Sequence, residues 1–190
     1  MADLKKITDQ FWSRRSYKKM FVILALFSFI LLLFLLNKAV FFVLAFILVN
    51  ALLAFLMLPL KEFLFGIDLT MLAAVLCGMA FGWKVGLLVG LLSSITKLIA
   101  QQSFSIYGLI VVPSYVIIGI VAGIVGTTDV SIFTFGLITI VFHTLLTVFF
   151  SVFMLGGNFM KVALFLVTNV PLNLFLFYYF APALLRIMAT

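Results

Sequence analysis

Residues Phe65–Ser94 read FGIDLTMLAAVLCGMAFGWKVGLLVGLLSS, and glycine recurs in them at Gly78, Gly82, Gly86 and Gly90. Ser94 continues the four-residue interval. On a helix that spacing stacks small residues on one face, which lets a neighbouring backbone approach closely. In lipid, where apolar side chains gain little by leaving the solvent, such packing is a main source of helix affinity. One helix from Leu69 to Ala100 would be about 48 Å long at ~1.5 Å per residue, against a hydrocarbon core of ~30 Å. It would also hold Lys84 near the bilayer centre, at a cost of ~2.5–3.5 kcal/mol on insertion scales. A turn at Gly82–Lys84 avoids both penalties, so the stretch predicts two short glycine-lined helices in a hairpin.

Composition sets the class around this hairpin. Hydrophobic residues make up 67% of the 190-residue chain and charged residues 9%. The mean hydropathy is +1.43. A soluble domain of this length has too little interior to hide so much apolar surface, and the chain reads as an all-α, polytopic membrane protein. Cys77 is the single cysteine, which excludes disulfides within the chain and cysteine-based metal sites. The first apolar run, from Phe21, lacks a small-residue cleavage motif and reads as a spanning helix rather than a signal peptide.

Residues 1–20 carry six of the twelve basic residues: Lys5, Lys6, Arg14, Arg15, Lys18 and Lys19. Such a cluster beside a first membrane helix predicts a cytoplasmic N-terminal segment, with Phe11, Trp12 and Tyr17 suited to the headgroup zone. The remaining cations are scattered singly, which argues against nucleic acid as the partner of the +7 net charge. Residues 21–190 then form one transmembrane domain. Apolar segments fall at about 21–36, 39–60, 67–82, 85–100, 106–126, 131–155 and 159–185, giving a compact bundle of six or seven spans at the plasma membrane. With seven spans, Lys61, Lys97 and Lys161 join the N-terminal cations inside, and Lys38, Lys84 and Arg186 lie outside.

Ionisable groups that could carry chemistry are few. His143 is the single histidine, with Thr139, Thr144 and Thr147 nearby on the same predicted helix. One histidine with no acid near it makes no zinc site, and no HExxH motif or acid pair at helical spacing occurs. His143 is therefore either a hydrogen-bonded interior residue or a ligand or gating contact, and the chain is expected not to be an enzyme, with no metal or cofactor. Other polar residues lie deep in apolar segments: Asn50, Ser93, Ser94, Ser114, Tyr115, Thr168, Asn169 and Asn173. Lipid offers them no partner, so each must find one inside the bundle. Pro171 frees the Val167 carbonyl and predicts a break near Asn169 and Asn173, which serve either as binding groups or as packing hydrogen bonds. Asp68 either caps the third span or lines the mouth of a cavity. Gly119 and Gly123 form a second close-packing face, with Gly126 next.

These motifs resemble the substrate-binding S components of energy-coupling factor (ECF) transporters. The resemblance covers residues 59–185 and rests on Pro59-Leu-Lys-Glu-Phe-Leu-Phe-Gly-Ile-Asp68-Leu-Thr-Met-Leu-Ala, on the ladder from Gly78 to Gly90 with Phe81-Gly82, on Tyr107-Gly108 through Gly123, and on Asn169-Val-Pro171-Leu-Asn173. Trp83 stands where that family has a turn proline. Neither of the first two segments holds the family's Ala-x-x-x-Ala face, and a seventh span would reverse the side of the 59–68 loop. The resemblance implies a vitamin or other small micronutrient bound inside the bundle, with ABC-type ATPases and a transmembrane coupling protein as partners. Since no GxxxxGK[ST] motif occurs, the energy for transport must come from such partners or from a gradient. The expected pocket residues are Asn169, Asn173, Tyr115 and Ser94, with Asp68 and His143 as further candidates. A second resemblance is to the rod-shape-determining MreD family of membrane scaffolds, whose glycine-rich helix usually ends near an acid. Here Thr96-Lys97 stands in that region.

Overall fold

The computed structural model describes residues 37–59, 69–101, 106–154, 156 and 159–190, without the side chains of 106–110, 154, 159 and 161. The basic segment, the first apolar run and Asp68 lie outside the described residues. The chain divides into a unit ending at Phe41 and a unit running from Phe42 to Thr190. Every described element is helical. The helices are α1 (Lys38–Leu56), α2 (Thr70–Phe81), α3 (Trp83–Ala100), α4 (Ile106–Val125), α5 (Ile132–Val148), α6 (Phe159–Phe175) and α7 (Ala181–Ala189). A π-helical turn, Phe149–Met154, extends α5, and another, Leu176–Phe180, joins α6 to α7.

The predicted turn is a single residue. Gly82 adopts φ 90°, a left-handed conformation that L side chains rarely take, and α2 ends while α3 begins around it. Its amide donates to the Gly78 carbonyl at 2.8 Å, which closes the last turn of α2. Gly78 and Gly86, four residues to either side, then meet: a Cβ on Gly86 would lie 2.8 Å from the Gly78 Cα. Trp83 and Lys84 are exposed at the turn, with the Lys84 ammonium 5.7 Å from the centre of the Trp83 ring.

The second glycine face packs on the first. A Cβ on Gly78 would sit 2.6 Å from the Gly119 carbonyl oxygen, and one on Gly90 would sit 2.5 Å from that of Tyr115. Gly86 and Gly119 abut backbone to backbone, and Gly123 rests on the Gly82–Trp83 peptide. The pairings 86 with 119, 90 with 115 and 83 with 123 make α4 antiparallel to α3. Three backbones therefore share a seam that any side chain would wedge apart. Gly82 belongs to the turn rather than to this face, since a Cβ there would meet nothing within 4 Å.

Around these three helices, α5 and α7 pack against α2, and α6 packs against α5. In α1, Asn50 reaches across and its Oδ1 accepts a hydrogen bond from the Leu69 amide at 3.0 Å, satisfying one donor at the start of α2. Phe42 meets Phe81 with ring centres 6.4 Å apart, so α1 runs antiparallel to α2. Helices α5 and α6 are antiparallel as well. Gly136 faces the ring of the fully buried Phe177, where a Cβ would come within 2.5 Å of the aromatic carbons. Helix α6 runs unbroken through Pro171, contrary to the expected break; the irregularity appears later, as the π-helical turn at Leu176–Phe180. The α7 helix returns against α2.

Four helical stretches are long and apolar enough to cross a membrane: Lys38–Leu56, Trp83–Ala100, Ile132–Phe153 and Val162–Ala189. Thr70–Phe81 and Val111–Val125 are shorter apolar helices. Their outward faces suit lipid: Phe153, Met160 and Val167 are each more than 70% exposed, which water would penalise.

Candidate functional site

The apolar interior contains polar groups, and their positions follow from helical spacing. On α5, Thr139, His143 and Thr147 recur every four residues and lie on one face, as does Ser151 in the π-helical turn beyond. All four are buried. The opposite face, Val141, Leu145 and Phe149, is exposed. On α4, Pro113 faces outward while Ser114 and Tyr115 are buried towards α5.

These two helices meet at His143. The Ser114 Oγ lies 3.1 Å from the His143 Nδ1 and the Tyr115 Oη lies 3.2 Å from the Nε2. The two rings stack, with centres 4.7 Å apart and planes 25° from parallel. Proton accounting orders the set. Ser114 has one hydroxyl proton and donates it to the Val111 carbonyl at 2.6 Å, so Nδ1 carries the ring hydrogen and donates to Ser114. The Nε2 lone pair then accepts from the Tyr115 hydroxyl. In this tautomer the ring offers Ser114 a donor, not a base that could draw off its proton. The ring of Phe165, on α6, closes a third side with its centre 6.4 Å from that of His143.

Asn169 and Asn173 follow Phe165 on α6, both buried. The Asn173 Nδ2 donates to the Asn169 carbonyl at 3.0 Å. The Asn173 Oδ1 is buried without a hydrogen-bond partner in the protein, as are the Oγ of Ser93 and the Oγ1 of Thr147. Ser94 behaves differently, donating to the Gly90 carbonyl of its own helix. Thus Tyr115 and His143 come together from separate helices, and Asn169 and Asn173 pair along one helix. Ser94 turns back into the glycine seam, and Asp68 lies outside the described residues.

Sequence reasoning placed Thr147 beside His143 but left it and Ser151 out of the candidate pocket, and it missed Gly136 as a seat for Phe177. The four-residue spacing of Thr139, His143, Thr147 and Ser151 was the available signal for the first two. Gly136 gave none, because the ring that needs the space lies 41 residues later in the chain. Among the described residues no group of three or more His, Cys, Asp or Glu side chains comes together to hold a metal ion.

Comparison of the chain with protein-family models, curated proteins and solved structures gives no match.

Proposed function

We propose that the chain is a six- or seven-span plasma-membrane protein that binds a small molecule within its helical bundle, as the substrate-binding subunit of an ECF-type transporter. One observation carries this reading: polar groups from α4 and α5 meet at His143 in an apolar interior, α6 buries two amides beyond Phe165, and some of these buried polar groups remain unsatisfied. The Thr147 Oγ1 and the Asn173 Oδ1 are buried without protein partners, and burial of such atoms is costly unless something else completes them. A bound molecule would do so, in the manner of ligand sites that combine apolar walls with a few placed polar groups. Tyr115 and His143 would supply a stacked aromatic wall, and Asn169 and Asn173 the amide contacts. A transmembrane coupling protein and ABC-type ATPases would power release.

The test is to replace Asn169 with Leu and measure both ligand affinity and thermal unfolding. The ligand is identified first, from extracts of the purified protein by mass spectrometry. A binding role predicts weaker affinity with a melting temperature close to that of the parent protein. Loss of stability with no separate loss of affinity would mark Asn169 as packing.

The tight seam of α2, α3 and α4 favours a second reading, a scaffold of the MreD kind. Helices held backbone to backbone offer a rigid frame for lateral contacts with other membrane proteins, and such a protein needs no ligand. Recovery of wall-synthesis proteins with the chain would support it.

A further inference from the structure

We infer that the inward face of α5 is the solute-accessible wall of the binding site, with Thr147 and Ser151 as ligand contacts, and that its ligand is a neutral molecule bearing hydrogen-bond donors and acceptors. This rests on the reading of the interior as a ligand site and adds to it which residues line the site and what charge the ligand carries.

Thr147 makes the case for contact. A helical threonine ordinarily satisfies its hydroxyl on a carbonyl three or four residues earlier. Thr139 does so on Gly136 at 2.8 Å, and Thr168 does so on Leu164 at 2.9 Å. Thr147 is 97% buried, and its Oγ1 has no partner. It lies one helical turn beyond His143 on the face that meets α4, and Ser151 follows after one more turn. From Thr139 to Ser151 the face extends about 18 Å at ~1.5 Å per residue. Over that length its buried, four-spaced positions are polar, whereas Val141, Leu145 and Phe149 opposite are apolar and exposed.

The charge of the ligand follows from what the interior contains. Among the described residues no Asp, Glu, Lys or Arg is buried: Lys84, Asp129 and Arg186 are exposed, and Lys38 and Lys97 are half-buried towards helix ends. The buried polar groups are hydroxyls, amides and one imidazole, whose two nitrogens are engaged by Ser114 and Tyr115. A charged ligand would lose its hydration and meet no counter-charge among the described residues, whereas a neutral one would exchange hydrogen bonds.

The experiment is cysteine labelling in sealed proteoliposomes, in a Cys77→Ala background, since Cys77 is buried and is the chain's single cysteine. The variants are Thr147→Cys, Ser151→Cys, the lipid-facing Leu145→Cys and the exposed-loop Thr128→Cys. The probes are the neutral 2-hydroxyethyl and the cationic trimethylammonioethyl methanethiosulfonates. Because the thiolate is the reactive form and needs water, Thr147→Cys should react with the neutral probe at least about tenfold faster than Leu145→Cys. Relative to the ratio at Thr128→Cys, the cationic probe should lag the neutral one at Thr147→Cys by at least about tenfold. Ser151→Cys gives the same reading independently should Thr147→Cys fail to fold. Rates at both inward positions no faster than at Leu145→Cys would overturn the site. Equal rates for the two probes would overturn the neutral ligand. If the inward positions label as expected and no ATPases accompany the chain on purification, this wall stands and the transporter assignment falls.

Discussion

A Cβ at Gly82 would meet nothing within 4 Å, whereas one at Gly119 would strike the carbonyl of Gly86. The two glycines are therefore required for different reasons, conformation at Gly82 and space at Gly119. Gly82→Ala should cost about 1–3 kcal/mol, because φ 90° with ψ 169° is a region that essentially only glycine adopts, and Gly82→Asn should cost as much. Gly119→Ala should cost at least the ~1–3 kcal/mol of ordinary overpacking, because the obstacle is backbone and cannot rotate away. Thermal unfolding in mild detergent would order them, with Gly119→Ala the less stable; the reverse order would contradict the seam. Tyr115→Phe leaves the Nε2 of His143 without its Tyr115 donor and should destabilise by about 1–3 kcal/mol. The ladder itself was legible in the sequence because four-residue spacing is periodic. What periodicity could not distinguish was the one ladder glycine that forms the turn, since Gly82 has the same spacing as its neighbours.

Among the elements, the hairpin was readable from length and charge: one helix would have been too long and would have buried Lys84. The contact of α2 and α3 with α4 was only half readable. Both glycine faces stand out in the sequence, but nothing in either names the other as its partner. The cap on α2 was less visible still. Asp68, the local candidate, lies outside the described residues, and the donor at Leu69 is met by Asn50, 19 residues earlier in the chain. Asn50→Leu should therefore loosen the start of α2, raising amide hydrogen exchange at Leu69 while leaving exchange in α3 unchanged. Equal protection at Leu69 in the variant would show that the bond contributes nothing. The unbroken α6 shows likewise that Pro171 does not by itself end the helix.

At the scale of the molecule, the helical class and the membrane setting follow from composition, and four helical stretches meet the length and hydropathy of a span. The interior site was legible as a list of polar residues, not as an arrangement. Ser114, Tyr115 and His143 lie 28–29 residues apart across two helices, and only the packing of α4 on α5 brings them together. Topology is testable from the same reading. With seven spans and the N-terminus inside, Asn37→Cys should react with an impermeant maleimide added to intact cells, and Lys61→Cys only after permeabilisation. The opposite pattern would invert the chain.

The central claim is that this bundle serves a transporter by holding a small molecule. Mass spectrometry of the proteins that accompany the tagged chain, purified from native membranes in mild detergent, tests it most directly. The account predicts two ABC-type ATPases and a transmembrane coupling protein. Recovery of wall-synthesis proteins, or of the chain alone, would contradict it.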